Sequence, residues 1–403
     1  MLPVHDSFLF AVMMQTAYVA ARIIPFHRPF MYEGLFADGQ GRVLIMLSEF
    51  IKSYKDVLFM KLKKLVLALG AATVLFSGSV FAADMHINVV AKGFQHQFWK
   101  AVEQGTQKAA DEFDVTVDFQ GPDNESNIAQ QVEYLNAAIA TGPDAICLAA
   151  LDTRAMLDSI QMAQDEGIPM IGFDSGVPDA PEGAIKATAS TDNTAAGGLA
   201  ASKLHEMIKA KVDAATKDKP VRIGVIAQES NSQSIVQRTR GFVDAFVKIV
   251  GADKVSVEGH DSLRAVKKGA PVILEVGIPA EVKDVDAAAV ASAILEKGDL
   301  IAIYGSNEFA TNAIITANEG LDKLGSDKVI AVGFDAGTKV LDAMEAGILS
   351  GAVTQNPVQI GYQAVRLAVE AVNGKKVEDV DTGALWYNKD NMNDPAISVC
   401  LYR

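Results

Sequence analysis

Two nearly identical stretches decide the fold of this chain: GFDSG at residues 172–176 and GFDAG at residues 333–337. Each follows an apolar run, IPMI or VIAV, that predicts a buried strand, and each ends in a glycine that permits a sharp turn. The two copies are 161 residues apart. A chain in which a strand, an aspartate and a turn follow one another twice in the same order is predicted to contain two similar halves.

The sequence around the two copies supports this duplication. From Asp84 onward, short β-rich runs alternate with longer stretches of helical periodicity, which predicts βαβ units and parallel sheets. Matching strands of the two halves are offset by 136 residues at the first strand and by 155 at the third. The second half is therefore longer between these two strands, and its additional residues lie in 252–286, where KVSVEGH and PVILEVGIP both predict strands. The sequence leaves open which of the two belongs to the regular sheet.

The duplicated aspartates, Asp174 and Asp335, are the first candidates for a functional role. Ligands of open parallel sheets lie beyond the carboxyl ends of the strands, so two lobes facing each other would bring both aspartates into one cleft. Either residue alone is equally well explained as a turn residue or a helix cap. Their repetition at the end of a strand favours contact with a ligand.

Composition excludes several classes of protein. A chain of 403 residues with 49% apolar content predicts two ordinary domains. Its 50 acidic residues against 36 basic ones argue against a nucleic-acid-binding protein. The two cysteines, Cys147 and Cys400, are too far apart in sequence to indicate a disulfide framework or a metal site. No P-loop, G-x-G-x-x-G or H-E-x-x-H motif is present, so we expect neither a cofactor nor an enzyme, and a dehydrogenase is disfavoured.

The N-terminal region predicts export. MKLKKLVLALGAATVLFSGSVFA at residues 60–82 has three lysines, then an apolar run, then small residues, the order typical of a secretory signal peptide. We expect cleavage after Ala82 and a periplasmic protein of a Gram-negative bacterium. A permanent membrane helix would need about 20 apolar residues. Residues 1–59 then precede the signal, and we interpret them as an upstream extension from a mis-assigned start codon.

Six motifs together carry a resemblance to a known family: KGFQHQFW, STDNTAAGGLAA, QRTRGF, YGSNE, VGFDAG and VTQNPVQIGYQAV. Because these motifs occur in the order typical of that family, the chain from Asp84 to Arg403 resembles periplasmic sugar-binding proteins of the ribose- and allose-binding type, the solute receptors of ABC importers. The resemblance implies an α/β fold with two Rossmann-like, doubly wound parallel-sheet lobes. Three hinge crossovers are expected near residues 189–192, 351–356 and 383–387. The implied lobes are residues 83–190 plus 356–385 and residues 191–355 plus 386–403.

The resemblance also implies a function and a site. A monosaccharide, a hexose or pentose with or without modification, would be captured between the lobes and delivered to the permease of an ABC importer. Aromatic rings would pack on the C–H face of the sugar, and charged or amide groups would bond its hydroxyls. The positions that match the family's ligand-binding residues are Lys92, His96, Phe98, Trp99, Asp174, Arg238, Asn307, Asp335 and Gln355.

Several positions depart from the ribose-binding pattern. Ser175 stands where ribose receptors have arginine, and His96 stands where they have asparagine. Lys92 and Trp99 match the allose type instead, which favours a hexose or a modified sugar over ribose. The residue that the region 252–286 would contribute to the site is left open.

Other functions of the same fold remain alternatives. One is a receptor for a polyol, an inositol or a furanosyl signal molecule, with a chemoreceptor as a further partner. A DNA-binding repressor of the lac type is disfavoured, because residues 1–59 lack a basic helix-turn-helix pattern and a secretion signal occupies the place of the linker. We expect a monomer.

Overall fold

Two parallel sheets organise residues 85–403, the part of the chain that this computed structural model describes. The predicted upstream extension at 1–59 and the predicted signal peptide at 60–82 lie outside the described residues. No helix within residues 85–403 is both long enough and apolar enough to cross a membrane.

The first sheet has six strands in the order β12-β5-β4-β3-β1-β2, and its neighbouring strands are parallel throughout. The central strands are almost fully buried on both faces, as expected for a parallel sheet covered by helices. The strands are β1 (His86–Val90), β2 (Thr116–Gln120), β3 (Ala145–Leu148), β4 (Met170–Phe173), β5 (Ile185–Ser190) and β12 (Val380–Asp381). The helices that accompany them are α1 (Gln97–Phe113), α2 (Ile128–Ala140), α3 (Leu157–Asp165) and α9 (Pro357–Val372). We call this sheet and its helices the first lobe.

The second sheet has seven strands in the order β13-β11-β10-β9-β6-β8-β7, and only β13 runs antiparallel to its neighbour. Its strands are β6 (Val221–Ile226), β7 (Val255–Gly259), β8 (Val272–Gly277), β9 (Leu300–Gly305), β10 (Ile330–Phe334), β11 (Gly351–Gln355) and β13 (Ala384–Tyr387). Its helices are α4 (Asn193–Asp213), α5 (Gln233–Val250), α6 (Asp284–Leu295), α7 (Glu308–Leu321), α8 (Thr338–Glu345) and the short C-terminal α10 (Pro395–Ser398). This sheet and its helices form the second lobe.

The two sheets repeat one topology. The order β8-β6-β9-β10-β11 in the second lobe corresponds strand for strand to β2-β1-β3-β4-β5 in the first. PVILEVGIP therefore supplies the regular strand β8, which pairs with β6 along its whole length. KVSVEGH forms β7, an additional strand that pairs only with β8 at the edge of the sheet. The question that the sequence left open is thus answered by strand order.

A close contact between two helices is also repeated. A Cβ atom at Gly105 in α1 would lie 2.0 Å from the carbonyl oxygen of Val358 in α9. In the second lobe, a Cβ atom at Gly241 in α5 would lie 2.3 Å from the carbonyl oxygen of Thr194 in α4. Only glycine allows backbones to approach so closely. The helices α9 and α4 each follow a crossing between the lobes, and each packs on the helix that follows the first strand of the lobe it enters, α1 and α5.

The chain passes between the sheets three times. The first link is Thr191–Asp192 before α4, the second is Asn356 before α9, and the third is Thr382–Gly383 between β12 and β13. The predicted fold class, two doubly wound parallel-sheet lobes joined by three crossovers, is confirmed. The third crossover was expected at 383–387, but residues 384–387 already pair with β11 as β13. The predicted lobe boundaries stay a prediction.

Candidate ligand-binding site

The carboxyl ends of the two sheets face each other across a small cavity, which we call the inner cavity. The structure brings all nine predicted site residues together around this cavity, and it adds four that the sequence did not indicate. The nine are Lys92, His96, Phe98, Trp99, Asp174, Arg238, Asn307, Asp335 and Gln355, and the four are Glu125, Ser234, Ile235 and Glu308.

The repeated aspartates have equivalent backbone positions. Asp174 follows β4 and Asp335 follows β10, and both have left-handed backbones, with φ of 53° and 68°. Each backbone N–H donates to the next strand, Asp174 to Ala189 at 3.0 Å and Asp335 to Val353 at 2.7 Å. Aspartate tolerates this conformation better than most residues. The GFD motif therefore ends a strand and turns a carboxylate toward the cleft in each lobe.

Asp174 provides an acceptor that no described residue uses. Lys92 Nζ lies 3.4 Å from its Oδ2 atom, yet Oδ2 has no hydrogen-bond partner within residues 85–403. Burial raises the pKa of Asp174, although Lys92 and Arg238 oppose this shift. Burial alone would lower the pKa of Lys92, but Asp174 and Glu125 outweigh it, so this pKa is raised and the amine stays charged.

Asp335 is held by groups of its own lobe. Its Oδ1 atom accepts from Gln355 Nε2 at 2.8 Å, and its Oδ2 atom accepts from the backbone N–H of Glu308 at 3.2 Å. Arg238 Nη1 lies 3.7 Å from the same Oδ2 atom. The other amide atom, Gln355 Oε1, is buried with no partner in the described part of the chain. The second lobe thus presents an acceptor that matches Asp174 Oδ2 in the first.

Arg238 is fixed in one orientation. Its guanidinium lies 3.8 Å from the centre of the Phe334 ring. Nε and Nη2 both donate to Asn193 Oδ1, at 3.1 and 2.7 Å, and Nη1 donates to the carbonyl oxygen of Ser306 at 3.0 Å. A guanidinium held this way is preorganised to meet a polar ligand without losing further side-chain entropy.

The aromatic residues Phe98 and Trp99 are buried in the first turn of α1. Their ring centres are 5.1 Å apart and their planes are nearly perpendicular, at 88°. The two rings therefore meet edge to face. Trp99 Nε1 donates to Glu125 Oε1 at 2.7 Å, so the indole N–H is bonded within the protein.

Glu125 is the main residue that sequence reasoning missed. It lies in the loop between β2 and α2, in the stretch GPDNESN, which matches no motif. Burial by itself would raise its pKa, but Lys92, His96 and hydrogen bonds from Trp99 and Gln228 outweigh burial and lower it. Its Oε2 atom accepts from Gln228 Nε2 at 2.7 Å, and Gln228 Oε1 accepts from Asn307 Nδ2 at 2.6 Å. A charged hydrogen bond therefore joins the two lobes.

His96 and Glu308 lie where the lobes meet. Burial lowers the pKa of His96, so its imidazole is neutral at pH 7, and its ring packs edge to face on Phe309 at 6.0 Å. Burial, with Asp335 as the next cause, raises the pKa of Glu308 to about 8. Glu308 Oε2 accepts from the backbone N–H of Phe98 at 3.4 Å, which is a long contact between lobes.

Ser175 explains part of the departure from the ribose-binding pattern. It does not line the cavity; its Oγ atom accepts from the backbone N–H of Ser234 at the start of α5, at 3.3 Å. Lys92 provides the cation of the first lobe instead, and it also donates to Ser234 Oγ at 3.4 Å. Ser175, the fourth residue of GFDSG, thus contributes a contact between the lobes.

The site offers hydrogen-bond acceptors and donors in a tightly enclosed space. Unpartnered acceptors require O–H or N–H groups, and a ligand with several hydroxyls supplies them. Within residues 85–403, no group of three or more His, Cys, Asp or Glu side chains is arranged to hold a metal ion.

Known proteins share this architecture and between 25% and 37% of this sequence over the matched residues. The D-allose-binding periplasmic protein of Escherichia coli is 25% identical over 312 residues, which cover 76% of this chain and 90% of that protein. A solved structure described as an ABC transporter, LacI family transcriptional regulator, from Brachyspira murdochii is 37% identical, with a TM-score of 0.68, and covers 80% of this chain and 99% of that one. A carbohydrate transporter solute-binding protein from Agrobacterium radiobacter, solved with D-arabinose, is 27% identical, with a TM-score of 0.66, and covers 80% and 100%. The periplasmic binding protein domain family matches residues 87–376, and the chain belongs to that family.

Proposed function

We propose that this protein binds one monosaccharide between its two lobes and delivers it to the permease of an ABC importer. The observation that carries this proposal is a pair of buried acceptors without partners among the described residues, Asp174 Oδ2 from the first lobe and Gln355 Oε1 from the second. Gln355 Oε1 has no donor among the described residues, which costs about 1 to 3 kcal/mol. Among the same residues, Asp174 Oδ2 has an ion pair with Lys92 at 3.4 Å but no hydrogen bond. A sugar that offers one hydroxyl to each lobe removes this cost.

The other predicted site residues suit the same ligand. Phe98 and Trp99 supply apolar ring surface for the C–H face of a sugar, while Lys92 and Arg238 supply donors. Relatives support the chemical class, since their names include D-allose and their complexes include D-arabinose. We infer a hexose or a modified sugar, because Lys92 and Trp99 match the allose-binding type and Ser175 stands where ribose receptors have arginine.

Ligand binding is proposed to close the lobes about the three crossings. The proposed lobes are residues 83–190 plus 356–385 and residues 191–355 plus 386–403. Contacts from both lobes to one sugar exist together only in the closed form, so the sugar stabilises that form. Contacts between the lobes, among them the bond from Gln228 to Glu125, add to this stabilisation.

Export to the periplasm is part of the proposal. The family and its relatives are periplasmic binding proteins, and residues 60–82 have the order of a signal peptide. N-terminal sequencing of the secreted protein should begin at Ala83, and a peptide from residues 1–59 in the secreted product would refute our interpretation of that segment. We propose a monomer with the inner-membrane permease as its partner, a chemoreceptor as a further partner, and no catalytic activity.

Thermal-shift screening of the chain from Ala83 tests the proposed function. The panel contains D-allose, D-ribose, D-arabinose, D-fucose, D-glucose and D-galactose, with inositols and polyols as the rival class. A ligand at about 100 times its Kd stabilises the folded state by about 2.7 kcal/mol, which is easily detected. We expect a clear rise in Tm with one or a few monosaccharides. A panel in which only polyols raise Tm, or in which nothing does, would overturn the proposal.

A further inference from the structure

The helix that follows the first strand of each lobe begins with a glutamine that reaches into the opposite lobe. Gln97 begins α1 and Gln233 begins α5, and the two are 136 residues apart, the same offset as the first strands of the two halves. Both side chains are half-buried. The internal repeat therefore places two equivalent amide groups where the lobes meet.

Each glutamine meets the last glycine of a GFD motif in the opposite lobe. A Cβ atom at Gly176 would lie 2.5 Å from the Oε1 atom of Gln233, and a Cβ atom at Gly337 would lie 3.3 Å from the Oε1 atom of Gln97. The φ angle of Gly337 is 95°, which by itself favours glycine, but the φ angle of Gly176 lies outside the left-handed range. The close approach of Gln233 therefore accounts for a glycine at position 176.

Gln97 also makes a hydrogen bond across the cleft. Its Oε1 atom accepts from the backbone N–H of Thr338, the first residue of α8, at 2.7 Å. The N-cap residue of α8 is Gly337, which has no side chain with which to cap the helix. The first N–H groups of a helix have no partner within the helix, so an acceptor placed there stabilises the helix end. The first lobe therefore supplies the cap of a helix in the second lobe.

The helices α1 and α5 are in turn capped from the opposite lobe. The backbone N–H of Phe98, the second residue of α1, donates to Glu308 Oε2 at 3.4 Å. The backbone N–H of Ser234, the second residue of α5, donates to Ser175 Oγ at 3.3 Å. Within residues 85–403, neither helix is capped by the side chain of its own N-cap residue. Because both bonds join the two lobes, these helix ends are complete only when the lobes are together.

We propose that Gln97 and Gln233 are positioning residues that hold the lobes closed over a bound sugar and set the rate at which the sugar is released. This inference rests on the proposed function, because it requires a sugar between the lobes. It goes beyond that function by assigning the retention of the sugar to two residues that do not line the inner cavity. Gly176 and Gly337 are the positions that receive them.

The kinetic consequence follows from where the two glutamines act. The sugar enters while the lobes are apart, so contacts between the lobes are absent during association. The same contacts are present in the closed complex and break before the sugar leaves. Their loss should therefore raise koff and leave kon unchanged. The net value of one neutral hydrogen bond, such as that of Gln97, corresponds to an increase in koff of about two- to ten-fold.

Stopped-flow fluorescence of the chain from Ala83 measures both rate constants. The protein has two tryptophans, Trp99 in the wall of the inner cavity and Trp386 in β13, so sugar binding is expected to change the emission of Trp99. The probe is the monosaccharide that raises Tm most among D-allose, D-ribose, D-arabinose, D-fucose, D-glucose and D-galactose. The initial slope of the observed rate against sugar concentration gives kon, and its intercept gives koff.

Variants on the two sides of one bond test the contact of Gln97. Gln97→Ala should raise koff about two- to ten-fold and leave kon unchanged. Thr338→Pro removes the N–H from which Gln97 accepts, and proline is tolerated at the first position of a helix, so koff should rise to a similar extent. The double variant should release the sugar no faster than either single variant, because both delete the same bond. Gln107→Ala, at an exposed position of α1, is the matched control and should change neither rate constant.

A second pair of variants tests the equivalent contact of Gln233. In Gly176→Ala, the added methyl group takes the space of Gln233 Oε1, so koff should rise at least about two-fold while kon stays unchanged. Gln233→Ala should have a similar effect and leaves that space free. Adding Gly176→Ala to Gln233→Ala should then change koff no further. Additive increases in koff would overturn the pairing of Gln233 with Gly176.

Two results would overturn the inference while the proposed function stands. One is a bound sugar whose koff in Gln97→Ala or in Gln233→Ala equals that of wild type. The other is a lower kon with an unchanged koff, which would assign these residues to the entry of the sugar. If no sugar of the panel binds to the wild-type protein, the proposed function fails together with the inference.

Discussion

Replacing Gln228 by leucine removes the hydrogen bond that joins the Glu125 carboxylate of the first lobe to the second lobe. Gln228 is fully buried and does not line the inner cavity, so it affects ligand binding only through its contacts with Glu125 and Asn307. It donates to Glu125 Oε2 at 2.7 Å and accepts from Asn307 Nδ2 at 2.6 Å. After the change, Lys92 Nζ is the nearest charged group to Glu125 Oε2, at 3.8 Å.

The two lost bonds affect closure differently. Gln228 and Asn307 belong to the same lobe, so their bond is lost in the open and closed forms alike and cancels in the closure equilibrium. The bond to Glu125 exists only when the lobes are closed. A hydrogen bond to a charged group contributes about 1.5 to 3 kcal/mol, so closure, and with it sugar affinity, should weaken by about 10- to 150-fold.

Isothermal titration of the sugar identified by thermal shift gives the affinity of wild type and variant. Gln107→Leu, at an exposed position of α1, controls for the loss of a glutamine, and its Kd should equal that of wild type. An unchanged Kd for Gln228→Leu would refute the idea that this bond holds the lobes closed.

Three further predictions follow from single residues. Asp335→Asn should weaken sugar binding at least about ten-fold, measured by titration. Asp335→Ala should in addition lower the Tm of the ligand-free protein, because the backbone at this position has φ of 68°. A Kd equal to that of wild type for both variants would contradict the assignment of Asp335 to the site. Burial raises the pKa of Glu308 in the folded state to about 8, above the usual 4.5. Its protonated form therefore stabilises the folded state. This stabilisation is complete below pH 4.5 and is lost as the pH rises through about 8. Tm should therefore fall between pH 4.5 and about pH 8 more steeply in wild type than in Glu308→Gln, and parallel profiles would contradict this. Gly105→Ala should lower Tm, because its Cβ would lie 2.0 Å from Val358 O. The control Gly298→Ala, whose Cβ would have no atom within 4 Å, should leave Tm unchanged. Equal Tm values for the two variants would contradict the close helix contact.

The repeated GFD motif allowed the architecture to be predicted from sequence. The motif marks equivalent strand ends, and both aspartates adopt the left-handed conformation in which aspartate is favoured over most residues. The family resemblance added Lys92, Arg238 and Gln355 from motifs that are far apart in the chain. All of them line the inner cavity.

Other features depend on contacts between the lobes and leave no local pattern. Glu125 lies in a loop, and its partners Trp99 and Gln228 come from different lobes. Glu308 follows the predicted Asn307 directly, but only its burial beside Asp335 gives it an unusual pKa. The choice between β7 and β8 was also not accessible, because both candidates contain β-branched apolar residues typical of strands and strand order depends on long-range pairing.

A crystal structure of the chain from Ala83 with its tightest-binding monosaccharide tests the central claim most directly. The account predicts one sugar ring in the inner cavity, with a hydroxyl about 2.7 Å from Asp174 Oδ2 and another at a similar distance from Gln355 Oε1. A sugar bound elsewhere, or one that contacts only a single lobe, would contradict the account.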